Sequence, residues 1–134
     1  MSHVLSSDLI DQIVQHARAA APEECCGILI GRGDGVNAAV AARNIADRPT
    51  ARFLIDPKNH LDALRDARRR GLDVVGFYHS HPRSAAEPSP VDVAEASYPN
   101  HLFLIVGLGT PRPDVRLYRF ADGNFLAVPF VTVA

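Results

Sequence analysis

Cysteine is nearly absent from this chain: Cys25 and Cys26 are the only two, and they are adjacent. Neighbouring cysteines rarely bond to each other, so no intrachain disulfide framework is expected. Two adjacent thiolates also cannot complete a four-ligand structural zinc site. A reducing cytoplasm is therefore the expected compartment. Charge of one sign is lacking too. Fourteen basic residues face fifteen acidic ones, for a formal net charge of −1, so no global field points to nucleic acid or an anionic membrane. No apolar run approaches the length of a membrane span. The first eight residues lack a basic region followed by an apolar stretch, so no signal peptide is expected there. Internal repeats, linkers and low-complexity tracts are missing as well.

What is present suits a globular enzyme-sized unit. Over 134 residues, 47% are hydrophobic and 22% charged, enough to bury a core in one domain spanning residues 1–134. Ser6 or Ser7 can cap a helix over residues 8–20, whose Leu9, Ile10, Ile13, Val14 and Ala17 form one apolar stripe ended by Pro22. Residues 25–30 are a short continuous apolar run, the pattern of a strand buried on both faces. A glycine-rich turn at 31–35 leads to a returning strand over 36–45. A short strand is expected at 52–55. Asp56-Pro57 then caps a second helix reaching residue 70, with Leu61, Leu64 and Ala67 inward and Gly71 as its stop. Arg68-Arg69-Arg70 reads as a solvated last turn that favours the helix dipole, in preference to a nucleic-acid patch. Strands are expected at 74–78, 102–106, 115–120 and 125–133, the last at an edge or bulged because of Pro129. Helices interspersed with strands predict a single α/β domain with a mixed sheet flanked by helices.

The apolar strand at 74–78 runs straight into His79-Ser80-His81-Pro82. Strand side chains alternate, so His79 and His81 share a face and Ser80 points away. Asp92 follows His81 by eleven residues, where a loop can fold it back as a third ligand. Two histidines, a carboxylate and an open position describe a hydrolytic zinc site. Each part also has a plainer explanation. A bare His-x-His pair is more often a polar core or surface feature. Ser89-Pro90-Val91-Asp92 is close to a capping box, and that role alone accounts for Ser89 and Asp92. A zinc hydrolase further needs a base, for which Glu23 and Glu24 are the candidates ahead of the buried run. His3, His16, His60 and His101 have no motif around them.

Together these residues resemble the JAMM, or MPN-plus, metalloprotease family. Its pattern is an upstream glutamate, His-x-His-Pro, and then a serine and an aspartate at fixed spacing. His79, His81, Ser89 and Asp92 match without departure, and Glu24-Cys25-Cys26-Gly27 is similar to the family's Glu-x-Cys-Gly strand, which favours Glu24 over Glu23. The resemblance runs from about residue 25 to 106. It implies a cytidine-deaminase-like α/β sandwich and one zinc ion per chain, held by His79, His81 and Asp92. It implies Glu24 as the general base and Ser89 as the oxyanion donor. It further implies hydrolysis of an amide or isopeptide bond at the C-terminus of a ubiquitin-like or sulfur-carrier protein, in the manner of the family's compact prokaryotic branch. A homodimer is compatible with the sequence. Two other readings stand beside this one: a non-catalytic MPN-type interaction scaffold, and a zinc amidohydrolase acting on a small-molecule amide. A nucleoside deaminase would need His-x-Glu and Pro-Cys-x-x-Cys, and the chain has neither. Loops near 43–50 and 82–88 are placed to shape a substrate groove.

Overall fold

The computed structural model describes residues 3–134. The chain runs β1 (His3–Ser6), α1 (Ser7–Ala20), β2 (Cys26–Arg32), β3 (Gly35–Ala42), α2 (Pro57–Arg69), β4 (Asp73–His81), α3 (Pro90–Glu95), β5 (Leu102–Gly107), β6 (Asp114–Ala121), β7 (Asn124–Val128) and β8 (Phe130–Val133). The strands form one mixed sheet in the order β7-β6-β5-β4-β2-β3-β1-β8. β4 and β5 pair in parallel, as β1 does with β3 and β8, and the other pairs are antiparallel.

Side-chain alternation divides the core into two layers. Leu29, Tyr78, Leu102, Leu104 and Leu117 face α1, meeting its buried stripe of Leu9, Ile13, Val14 and Ala17. Ile28, Ile30, Phe77, Phe103, Ile105 and Phe120 face the other way and meet Ala63 and Ala67 of α2. β2 and β5 are buried along almost their whole length, as continuous apolar runs between two helical layers must be. α1 starts where Ser6 accepts the Leu9 N–H at 3.1 Å. α2 starts where Asp56 accepts the Lys58 N–H at 2.9 Å, with Pro57 in its first turn. Gly71, at φ +71°, turns the chain out of α2. Arg69 and Arg70 lie along Asp66 at 3.7 and 3.1 Å, as a solvated helix end would place them.

Three local expectations are corrected, and one strand lies outside them. Residues 52–55 form no strand; only Ile55 bridges, to Asn44, because the Asn44 side chain occupies the backbone groups a strand partner would have taken. Leu61 is 46% exposed. The buried face of α2 follows 60, 63, 64 and 67 at helical spacing, and Leu61 falls off that stripe. Residues 125–133 are two strands, because Pro129 has no N–H to give a ladder, and the two halves lie at opposite ends of the sheet order. Finally, β1 escapes detection from sequence. Four residues are too short to show a period, yet β1 links β3 to β8.

Gly76 sits where β4 runs closest to β5. A Cβ there would lie 2.2 Å from the Leu102 carbonyl oxygen, and backbone in mid-sheet cannot yield. Gly76→Ala is expected to destabilise the fold by about 1–3 kcal/mol, read as a lower urea midpoint with an unchanged slope.

Candidate functional site

The site forms where β4 ends. β2 pairs with β4 so that Cys26 lies opposite His79. One step further, the Ser80 N–H donates to the Cys25 carbonyl at 3.2 Å, and the Cys25 N–H donates to Ser80 Oγ at 2.8 Å. Continuing this antiparallel register sets Glu24 across from His81, on the face that His79 and His81 share. Ser80 points to the opposite face, as alternation predicts, and there it clamps the start of β2. Glu24 is buried, at 8% exposure, whereas Glu23 is exposed. This selects Glu24 from the two acids.

Asp92 arrives on α3. Ser89 caps this helix: its Oγ accepts the Asp92 N–H at 3.0 Å, and the Ser89 N–H donates back to Asp92 Oδ2 at 2.9 Å. The capping box therefore exists, and it aims Asp92 at the histidines. Asp92 Oδ2 lies 3.2 Å from His79 Nε2 and 3.0 Å from His81 Nε2, and the two Nε2 atoms are 3.3 Å apart. A four-coordinate zinc ion with bonds near 2.0–2.1 Å separates its ligand atoms by about 3.3 Å, so the donor set has the right span for one ion. Tautomers agree. His81 Nδ1 lies 3.0 Å from the Ala85 carbonyl; a carbonyl only accepts, so Nδ1 carries the proton and the neutral ring turns a lone pair inward. His79 is wholly buried, with Phe53 stacked on it at 4.3 Å between ring centroids. Its Nδ1 has no partner among the described residues. Three converging lone pairs repel one another unless a cation sits between them. His79, His81 and Asp92 can thus hold a metal ion.

The electrostatics follow from burial and proximity. Burial lifts the Glu24 carboxyl to about 7, opposed by the charge of His81 and reinforced by Asp92 and Glu95. Its Oε1 is buried and unpartnered among the described residues. Burial would also raise Asp92, but hydrogen bonds from His79 and His81 hold it well below the usual carboxylate range. Burial lowers His79. Burial opposes the charged form of His81 as well, yet Asp92 and the Ala85 carbonyl raise it above its ordinary 6.5. Cys25 and Cys26 are free and buried, and burial pushes their thiols up to about 11 and about 12. They remain neutral packing residues.

This geometry has counterparts among known proteins. The family described as prokaryotic homologs of the JAB domain matches residues 6–121. The chain belongs to that family. It is 40% identical over 119 residues to a desampylase of Haloferax volcanii, covering 84% of this chain and 82% of the relative. It is 32% identical over 129 residues to a CysO-cysteine peptidase of Mycobacterium tuberculosis, covering 94% and 88%. A solution structure from Desulfitobacterium hafniense shares the fold with a TM-score of 0.87 at 30% identity, covering 97% of this chain and 92% of that one.

In this JAB-domain protein the ligand cluster opens onto an apolar groove of about 320 Å³. His79 and Asp92 line one end, with Phe53, His60, Phe77, Val91 and Tyr98 along its length. His60, unassigned from sequence, packs edge-on to Phe77 at 5.3 Å. Tyr98 takes φ +67° and is 46% exposed, a strained backbone that holds its ring against His60, Phe77 and His101. Sequence reasoning missed Phe53, Tyr98 and the clamping role of Ser80. Only the last had a signal, its place between two ligands. Glu87, in the loop between ligands, pairs with Arg116 at 3.5 Å on the surface.

Metal binding should be linked to protons. A raised His81 stabilises the metal-free fold below its ordinary value, and that contribution is lost as pH rises through the raised value. Loading with metal requires His81 neutral, so acid opposes binding. The gain in melting temperature on adding zinc is therefore expected to be larger at about pH 8 than at about pH 6. Thermal unfolding with zinc and with chelator at both pH values checks this, and His79→Ala should abolish the gain.

Proposed function

We propose that this protein is a zinc-dependent peptidase or isopeptidase that hydrolyses an amide bond at the C-terminus of a ubiquitin-like or sulfur-carrier protein. One observation carries the reading: a buried carboxylate, Glu24, with an unpartnered oxygen, stands on the same sheet face as a three-donor cluster that fits a metal ion. A scaffold has no need to bury an unsatisfied carboxylate beside such a cluster. The relatives support the substrate class, being named for desampylation and for CysO-cysteine cleavage. A Thermus thermophilus relative, 36% identical over 90 residues, is named a probable TtuB-protein conjugate cleaving protease. The two free, buried cysteines suit a cytoplasmic enzyme. Among the described residues no helix is long and apolar enough to cross a membrane.

Held by His79, His81 and Asp92, zinc supplies Lewis acidity toward water and toward the scissile carbonyl. Glu24 takes the proton from the attacking water at its free oxygen and returns it to the leaving amine. Burial, which raises that carboxyl, favours its carrying the proton from water to amine. The Ser89 hydroxyl accepts from the Asp92 N–H, which leaves its own proton for the oxyanion of the tetrahedral intermediate. Val91, Tyr98 and Phe53 line the groove with apolar surface.

The zinc-loaded protein should cleave a Gly-Gly-ending carrier joined to cysteine or to a lysine side chain. Absence of cleavage for every such conjugate, with zinc bound, would overturn the reading. Cleavage of small acyl-amides alone would favour the amidohydrolase instead. Glu24→Gln should retain zinc and lower kcat by about 10²–10⁴-fold. Ser89→Ala should separate two roles: a stability loss of about 1 kcal/mol from the missing cap, and a kcat loss of about 10²–10³-fold from the missing oxyanion donor.

A further inference from the structure

Between β3 and α2 the chain closes on itself around one side chain. Residues 45–54 make a compact loop whose ends meet: the Ile45 N–H donates to the Leu54 carbonyl at 2.9 Å, and the Asp56 N–H to the Arg43 carbonyl at 3.0 Å. Such Ω-shaped loops are packed by their own side chains, and here that side chain is Asn44. Its Oδ1 accepts from the Ala46 and Leu54 N–H groups, each at 3.0 Å. Its Nδ2 donates to the Arg52 carbonyl at 3.1 Å and, outside the loop, to the Glu24 carbonyl at 3.0 Å. The Pro49 carbonyl lies at the limit, 3.5 Å away. A carboxamide has two acceptor sites and two donor hydrogens, and all four are used. Aspartate lacks the donors, serine has a single hydrogen, and glutamine is one methylene too long.

The loop grips Glu24 from both ends of its peptide units. The Glu24 N–H donates to the Pro49 carbonyl at 2.8 Å, and the Glu24 carbonyl receives Asn44. Glu24 precedes β2; the Ser80 hydroxyl holds the Cys25 N–H of the peptide that follows it, and these two bonds hold its own N–H and carbonyl. The same loop delivers Phe53 onto the His79 ring, and its rim meets α3 through Arg52 and Glu95 at 3.4 Å. We propose that Asn44 is a positioning residue: its carboxamide ties the 45–54 loop to the Glu24 backbone, and so sets the Glu24 carboxylate. The inference rests on the reading of Glu24 as the base. A displacement of about 1 Å in a catalytic group can lower a rate about 10²-fold, so a residue that touches neither metal nor substrate can govern kcat.

The test uses the full chain with Asn44→Asp, chosen because aspartate keeps the two loop-closing acceptors and replaces the donors with an oxygen that repels the Glu24 and Arg52 carbonyls. Glu24→Gln and the double variant complete a cycle. In the zinc-loaded protein, Asn44→Asp should lower kcat on a carrier–lysine conjugate by about 10- to 100-fold. KM should stay within about twofold and zinc stoichiometry unchanged. On the Glu24→Gln background the same substitution should lower residual turnover no further, because its effect passes through Glu24. In the metal-free protein, amide exchange at Glu24 should quicken while Leu54 stays protected. A kcat within about threefold of the parent, with Glu24→Gln inactive, overturns the inference. So does an equal loss on both backgrounds, which marks a general structural role. If Glu24→Gln itself keeps full turnover, the base is misassigned. Amide exchange then decides for Asn44 alone, and an unchanged Glu24 amide overturns it.

Discussion

The pairing of the start of β2 with the end of β4 is the constraint on which the site depends. It places Cys26 opposite His79, and Ser80 locks the next step by exchanging hydrogen bonds with Cys25 through both backbone and hydroxyl. A slip of one residue would turn Glu24 to the α1 side of the sheet, away from His79 and His81. The register is secured where it matters least to chemistry and most to packing: Ile28, Leu29 and Ile30 are buried to opposite sides along the same strand. A slip would also bring Cys26 or Ile28 to the place where Gly27 leaves room for the Tyr78 ring.

The second constraint is the helix cap. Ser89 and Asp92 satisfy each other's backbone groups, and the cap leaves Asp92 Oδ2 turned toward both imidazoles. The cap does not compete with a metal-binding role for Asp92, because the same arrangement serves both. A buried carboxylate is expensive unless paired, and Asp92 is paired by His79, His81 and the Ser89 N–H together. The short α3 cannot rely on its own length for stability, so the cap that orients Asp92 is also what makes the helix persist.

Around these fixed points the protein places its irregular segments. The 45–54 loop, through Phe53 and Leu54, and the strained turn at Tyr98 both line the groove. The loop is held mainly by hydrogen bonds to Asn44; its exposed rim pair, Arg52 with Glu95, adds little in water. Backbone strain at Tyr98 is offset by the packing of its ring against His60, Phe77 and His101.

The clustering of His79, His81 and Asp92 and the cap at Ser89 were legible in the residues because each is a local pattern: alternation on one strand for His79 and His81, a helix start for Ser89 and Asp92. The resemblance to a known family then joined Glu24 to them across fifty-five residues. The buried strands were legible as apolar runs. Where local rules met competition they failed. The strand expected at 52–55 gave way because Asn44 answers those backbone groups with a side chain, and the stripe of α2 shifted from Leu61 to Ala63 because the sheet, not the helix, sets which side is inward. The chain's own order of residues determined the chemistry available. Only the tertiary structure decided which of Glu23 and Glu24 is buried, that Phe53 stacks on His79, and that Asn44 reaches Glu24. Those contacts join residues with no sequence period between them, and they exist only once the sheet has closed.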